Sequence, residues 1–125
     1  MPDAADGAPW RVVVIAEMGV DPRWQAQVST WMVRSGCLYM MAWGEDCSSW
    51  DDMVDWALIE EFHFEDIPEE RFVMTTWHEG CALAEVFHFC KHSAFHHRIE
   101  IVRTVLLHIA QHPAEQVTVQ AYLQA

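Results

Sequence analysis

Positive charge is what this sequence most lacks. Seven Lys and Arg stand against nineteen Asp and Glu, for a formal net charge of −12. None of the seven falls between Glu45 and Glu70, where eleven of the acids are gathered. A surface of that sign repels phosphate backbones and anionic headgroups. It argues against nucleic acid or an acidic membrane as partner and favours a basic protein. The four cysteines, Cys37, Cys47, Cys81 and Cys90, form no C-x-x-C pair. A zinc knuckle is therefore not expected, and free thiols in a reducing cytoplasm are. The opening MPDAADGAPW holds no apolar run of the signal-peptide kind, and no run elsewhere is long enough to cross a bilayer. Neither G-x-G-x-x-G nor G-x-x-x-x-G-K-[ST] follows any apolar segment, so a nucleotide-binding reading lacks its phosphate cradle and no cofactor is expected.

What is present is a large apolar fraction, 52% of 125 residues, with seven Trp. That suffices for one domain with its own core, expected over residues 10–125 after a loose segment at 1–9. The β-branched run at 11–17 reads as a first strand. Asp21-Pro22 reads as a helix start, with Asp as N-cap and Pro at the first helical position, and Gly36 as its left-handed C-terminal cap. Residues 37–43 read as a second strand. The helix after it starts near Ser48 or Ser49, each spaced from Asp51 or Asp52 as in a capping box, and ends near Phe62. Residues 72–77 read as a third strand, short enough and apolar enough to be buried on both faces. From about Cys81, Leu83, Val86, Phe87, Cys90 and Ala94 fall on one helical stripe, and Cys81, Glu85, His88 and His92 on the opposite one. Residues 101–109 read as a fourth strand, with helical spacing as the alternative, and Pro113 opens a last helix to Leu123.

The alternation βαβαβαβα argues for an α/β fold, a three-layer sandwich around a four-stranded, mostly parallel sheet. The order 2-1-3-4 is the expected one. Ligands of such sheets bind past the carboxyl ends of the strands, where the order reverses. With that order the point lies between strands 1 and 3. It gathers Glu17, Trp43, the Glu45-Asp46-Cys47 turn, Thr76, Trp77, His78 and Glu79, and Gln111-His112.

Three chemistries suit those residues. Cys47 near a helix N-terminus, with His78 as base and Glu79 or Glu45 as carboxylate, makes a thiol nucleophile; the plain alternative is a capping-loop cysteine and a packing histidine. Glu17, Asp46 and Glu79 offer hard oxygen ligands to magnesium, or else simply stabilise helix N-termini. Glu85, His88 and His92 have ligand spacing on one helix face, or else form a solvated stripe. With Phe89 beside it, that stripe is also a candidate homo-oligomer contact.

Residues 35–44 (SGCLYMMAWG), 46–52 (DCSSWDD), 66–68 (DIP) and 72–78 (FVMTTWH), with 85–87 (EVF) and 91–94 (KHSA), resemble a family of small acidic bacterial proteins known only as a domain of unknown function. The resemblance implies a bacterial, cytoplasmic protein with a family motif around Trp43-Gly44, Asp46-Cys47, Trp50 and Trp77-His78. It implies no activity. The residues themselves favour a non-enzymatic interaction protein, immunity- or regulator-like, whose acidic face with Asp51, Asp52 and Asp55 takes a basic partner. A small hydrolase using Cys47 and His78, or a carboxylate-held metal, is the alternative.

Overall fold

Two segments carry an almost unbroken run of large apolar side chains, and they become the centre of the sheet. In β1 (Trp10–Ala16) every side chain but that of Arg11 is buried, and in β2 (Cys37–Gly44) the first six are. Strands that must be covered on both faces need such continuous hydrophobicity. The computed structural model describes residues 8–111 and 115–125. The expected loose segment therefore lies outside the described residues over positions 1–7, as do His112 and Pro113.

The remaining elements are α1 (Pro22–Arg34), α2 (Cys47–Glu61), a single 3-10 turn (Glu69–Arg71), β3 (Met74–His78), α3 (Leu83–His92), β4 (Arg103–Ile109) and α4 (Glu115–Gln124). The sheet is parallel throughout, in the order β3-β2-β1-β4. The α/β class, the parallel sheet and the element order are as the sequence predicts; the strand order differs from 2-1-3-4. Chain handedness accounts for the layers. Right-handed crossovers stepping outward from β1 to β2 to β3 put α1 and α2 on one face. The chain then steps back past β1, so α3 lies on the other face with α4. Val12, Val14, Met40 and Ala42 pack with Val28, Met32, Trp50 and Val54 of α1 and α2. Val13, Ile15 and Met41 pack with Val86, Phe87 and Cys90 of α3, and Tyr122 of α4 covers the margin. The three layers meet in these two half-cores.

Local signals were realised unevenly. The Asp21 side chain accepts the Arg23 amide at 2.7 Å and Pro22 occupies the first turn. Gly36 has φ 99°, as a left-handed cap requires. The capping boxes expected at Ser48 and Ser49 do not form, because α2 begins earlier. Asp46 is its N-cap, in left-handed backbone with no side-chain cap bond. Ser49 instead donates to the Asp46 carbonyl at 2.7 Å and accepts from Gln25 Nε2 at 2.9 Å. Helix α3 starts two residues later than the periodicity suggests, but its stripe holds: Val86, Phe87, Cys90 and Ala94 are buried, while Glu85, His88 and His92 are exposed.

Strand β3 is a correction. It is an edge strand, with Met74 and Trp77 exposed, not a strand covered on both faces. Its threonines and histidine suit an edge better than a centre. Segment 103–109 is extended, so the helical alternative is not adopted. Among the described residues no helix is long and apolar enough to cross a membrane.

Candidate functional site

The carboxyl ends of the strands form one rim, and the glycine that closes β2 shows how tightly it is built. Gly44 has φ 101°, and a Cβ placed there would stand 2.1 Å from the Ala16 carbonyl oxygen. That oxygen accepts the Glu45 amide at 2.7 Å. The turn after β2 is thereby pinned onto the end of β1, and Glu45 and Asp46 face solvent beside it.

The thiol constellation is not assembled as a nucleophile. Cys47 is fully buried in the half-core under α1 and α2. Burial pushes its thiol up, and the nearby Glu79 carboxylate adds to this, against smaller opposing bonds from the backbone of His78, Cys47 and Gly44. The helix N-terminus does not prevail, because a desolvated thiolate beside a carboxylate is disfavoured more strongly than one helix end favours it. The His78 ring lies across the sheet. Its Nε2 bonds the Thr76 hydroxyl at 2.9 Å, and its ring meets Phe89 of α3 edge-on at 5.0 Å. Burial lowers its pKa. Strand alternation separates the two groups: Cys47 belongs to one face and the His78 ring to the other. Trp43 pairs with His78 in register, and its Nε1 donates to the Cys81 carbonyl at 2.8 Å. Trp77 alternates to the other face, that of α2, and is 49% exposed.

The acidic face is also narrower than the sequence suggests. Of Asp51, Asp52 and Asp55, only Asp52 is freely exposed. Asp55 accepts the Thr75 hydroxyl at 2.9 Å. Burial raises its pKa more than that bond lowers it, and Asp51 and Asp52 raise it further. Asp51 is 8% exposed, and its Oδ1 has no hydrogen-bond partner among the described residues. The solvent-facing acids between Glu45 and Glu70 are Glu45, Asp46, Asp52, Glu60, Glu65, Asp66, Glu69 and Glu70. Glu69 pairs with Arg98 and Glu61 with Arg34, exposed bridges each worth less than about 1 kcal/mol.

Neither carboxylate–metal expectation gathers its ligands. Among the described residues no three His, Cys, Asp or Glu side chains come together to hold an ion. This applies to Glu17, Asp46 and Glu79 and to Glu85, His88 and His92. The His88 and His92 rings lie 4.3 Å apart as an exposed pair. Phe89, expected to face a second copy, packs on Tyr39 and His78 of its own chain.

With β3 outside β2, the strand order reverses between β1 and β4, not between strands 1 and 3. A polar chain occupies that point. Glu17, just past β1, bonds Nε2 of His108 in β4, and His108 Nδ1 lies 3.1 Å from the Thr118 hydroxyl of α4. The Glu17 amide donates to the Ile109 carbonyl at 2.9 Å, which ties the end of β1 to the end of β4. Sequence reasoning found Glu17 but missed His108 and Thr118. The signal available was a lone histidine in an otherwise apolar strand, and only the β1–β4 pairing gives it a carboxylate. His96 is a contrasting case. It is buried, takes the Arg98 and Ile99 amides on Nδ1 at 3.0 and 3.1 Å, and faces the Phe72 carbonyl with Nε2 at 3.1 Å. Both nitrogens serve the backbone, so its role is to hold the loop before β4.

A family model described as "Domain of unknown function (DUF7684)" matches residues 1–125. No curated protein and no solved structure matches the chain.

Proposed function

The chain belongs to the DUF7684 family, a domain of unknown function, and on that premise we propose that it is a non-enzymatic interaction module that binds a basic protein along its β3 edge. One observation carries the reading. Large apolar side chains of α2, β3 and the segment between them are exposed: Trp56 at 53%, Phe64 at 67% and Trp77 at 49%, with Phe72 and Met74 also exposed. Trp56 and Phe64 meet edge-to-face at 5.7 Å where α2 runs into its loop. Isolated exposed hydrophobics are ordinary, but an exposed aromatic pair such as Trp56 and Phe64 on a charged surface is the kind of anchor from which interfaces draw most of their energy. The acids around them supply steering and the choice of partner.

Two further features support the same surface. β3 hydrogen-bonds only to β2 among the described residues, so its outer edge is open for a partner's backbone. Asp51 keeps a buried oxygen without a partner among the described residues, and Asp55 stands one turn away with a raised pKa. An arriving Lys or Arg would favour the ionised form of Asp55. Nothing in the placement of Cys47 or His78 favours the hydrolase alternative.

The experiment is affinity capture with the wild-type chain, a Trp56→Ala/Trp77→Ala variant and an Asp52→Lys/Glu60→Lys variant. All four positions are exposed, so the fold should tolerate the changes, and thermal melts confirm it. A basic protein retained by the wild type, released by salt and lost from both variants is the expected result. Retention of the same proteins by both variants refutes the reading.

A further inference from the structure

The other edge of the sheet is β4, and it differs from β3 in charge. Between Ile101 and Ala125, a stretch that includes β4 and α4, the sequence holds one acid, Glu115, and one Lys or Arg, Arg103. In a chain of net charge −12 that is the neutral margin. The acids of residues 45–70 belong to α2 and the segments flanking it, and α2 packs on β2 and β3, with β1 between these strands and β4.

An edge strand presents a row of unpaired N–H and C=O groups, and proteins that leave one in water blunt it with Lys, Pro or a bulge. β4 has none of these. Its residues, RTVLLHI, include no Lys or Pro, and it pairs with β1 in unbroken register. Among the described residues no strand lies on its other side. Apolar side chains flank it on both faces of the sheet. Val105 and Leu107 are only partly buried against the half-core of α1 and α2. On the opposite face α4 has no buried residue, and Val117, Val119 and Leu123 stand exposed. A groove of about 370 Å³ separates α4 from β4, lined by Leu106, Val119 and Tyr122 together with polar side chains.

We propose that β4 is the contact through which two copies of this chain associate, pairing antiparallel across a two-fold axis so that two four-stranded sheets become one. An antiparallel pair about such an axis is self-complementary, since each backbone group meets its own counterpart. The same axis sets α4 beside the α4 of the partner over the junction, so that Val119 and Leu123 meet apolar surface. On the other face Val105 and Leu107 do the same. Charge favours a second copy here. Two chains of −12 approach each other at least cost where their surface is neutral, and joining at β4 leaves the acidic α2 of each at the far ends of the sheet. Antiparallel overlap also carries Arg103, at the start of one β4, to the carboxyl end of the other, where Glu17 bonds His108 and Glu115 lines the groove. A basic protein finds no comparable cluster of acids at this edge.

Sedimentation equilibrium of the full chain over a dilution series tests this, with hydrogen exchange on the same samples. A monomer–dimer equilibrium with a Kd on the order of 10 μM or tighter is expected. The amides of 103–109 should exchange more slowly in concentrated than in dilute protein, with those of 74–78 unchanged. Val119→Glu/Leu123→Glu alters exposed positions of α4. Val105→Lys gives β4 the blunting charge it lacks. Each should weaken the dimer about tenfold or more, and thermal melts show that each is folded. The exchange measurement needs no variant. Trp56→Ala/Trp77→Ala should dimerise as the wild type does, so failure at β3 and failure at β4 are separate results. A monomer at every concentration, a dimer kept by both β4-side variants, or protection that falls on β3 instead of β4 overturns the proposal.

Discussion

Replacing Gly44 with alanine sets a Cβ against the Ala16 carbonyl oxygen, which cannot move without releasing Glu45. The left-handed backbone adds its own penalty for any residue with a side chain. Gly44→Ala should therefore destabilise the fold by more than about 1 kcal/mol, read as a lower urea midpoint at unchanged slope. An unaltered midpoint would mean that the turn after β2 relaxes freely. The cysteines give a second prediction at this scale. Cys37, Cys47 and Cys90 are buried and Cys81 is partly exposed, and burial drives Cys37 up to about 12. Cys81 should react first with a disulfide reagent at neutral pH, and the other three only as the protein unfolds. If Cys47 reacted ahead of Cys81, its thiolate would be stabilised after all and the nucleophile reading would return. The sequence placed Cys47 at a helix start correctly. What it could not show is that the same position points into the core, where desolvation outweighs the helix end.

Among the elements, α2 and β3 are joined by a contact of mixed value. The Thr75–Asp55 bond orients the edge strand, yet the carboxylate is held where burial raises its pKa. A carboxyl whose folded pKa lies above its unfolded value of 3.8 costs stability while ionised, and that cost disappears once both states are protonated. Asp55→Asn keeps the shape and the partner without the charge. Its urea midpoint should exceed that of the wild type at neutral pH, and the gain should shrink as pH falls through the folded pKa of Asp55 toward 3.8. A variant less stable at every pH would show that the charged bond to Thr75 outweighs desolvation. Strand β3 also shows how an element can be recognised but misplaced. Its short apolar, β-branched run suggested a covered strand. Yet Thr75, Thr76 and His78 lie within it, and the side chains of an edge strand are supported from one side only.

At the scale of the whole molecule, the net charge is −12, and eleven of the nineteen acids lie between Glu45 and Glu70 with no Lys or Arg among them. Such a surface repels itself in the folded state, and salt screens that repulsion over about 10 Å at 0.1 M. The melting temperature should rise as sodium chloride is added from low ionic strength. A flat or falling response would mean that the exposed bridges, Arg34–Glu61 and Arg98–Glu69, already balance the field. The class of fold was legible in the chain because hydrophobic periodicity is local. Val12 to Ile15, Cys37 to Ala42 and the stripe of α3 each announce their element within a few residues. The strand order was not, because it rests on which apolar runs can be covered on both faces, and that comparison spans the whole chain. Once β1 and β2 take the centre and β4 lies beside β1, a histidine at 108 meets a glutamate at 17, ninety-one positions away. No local spacing encodes that meeting, since it exists only through the register of two parallel strands.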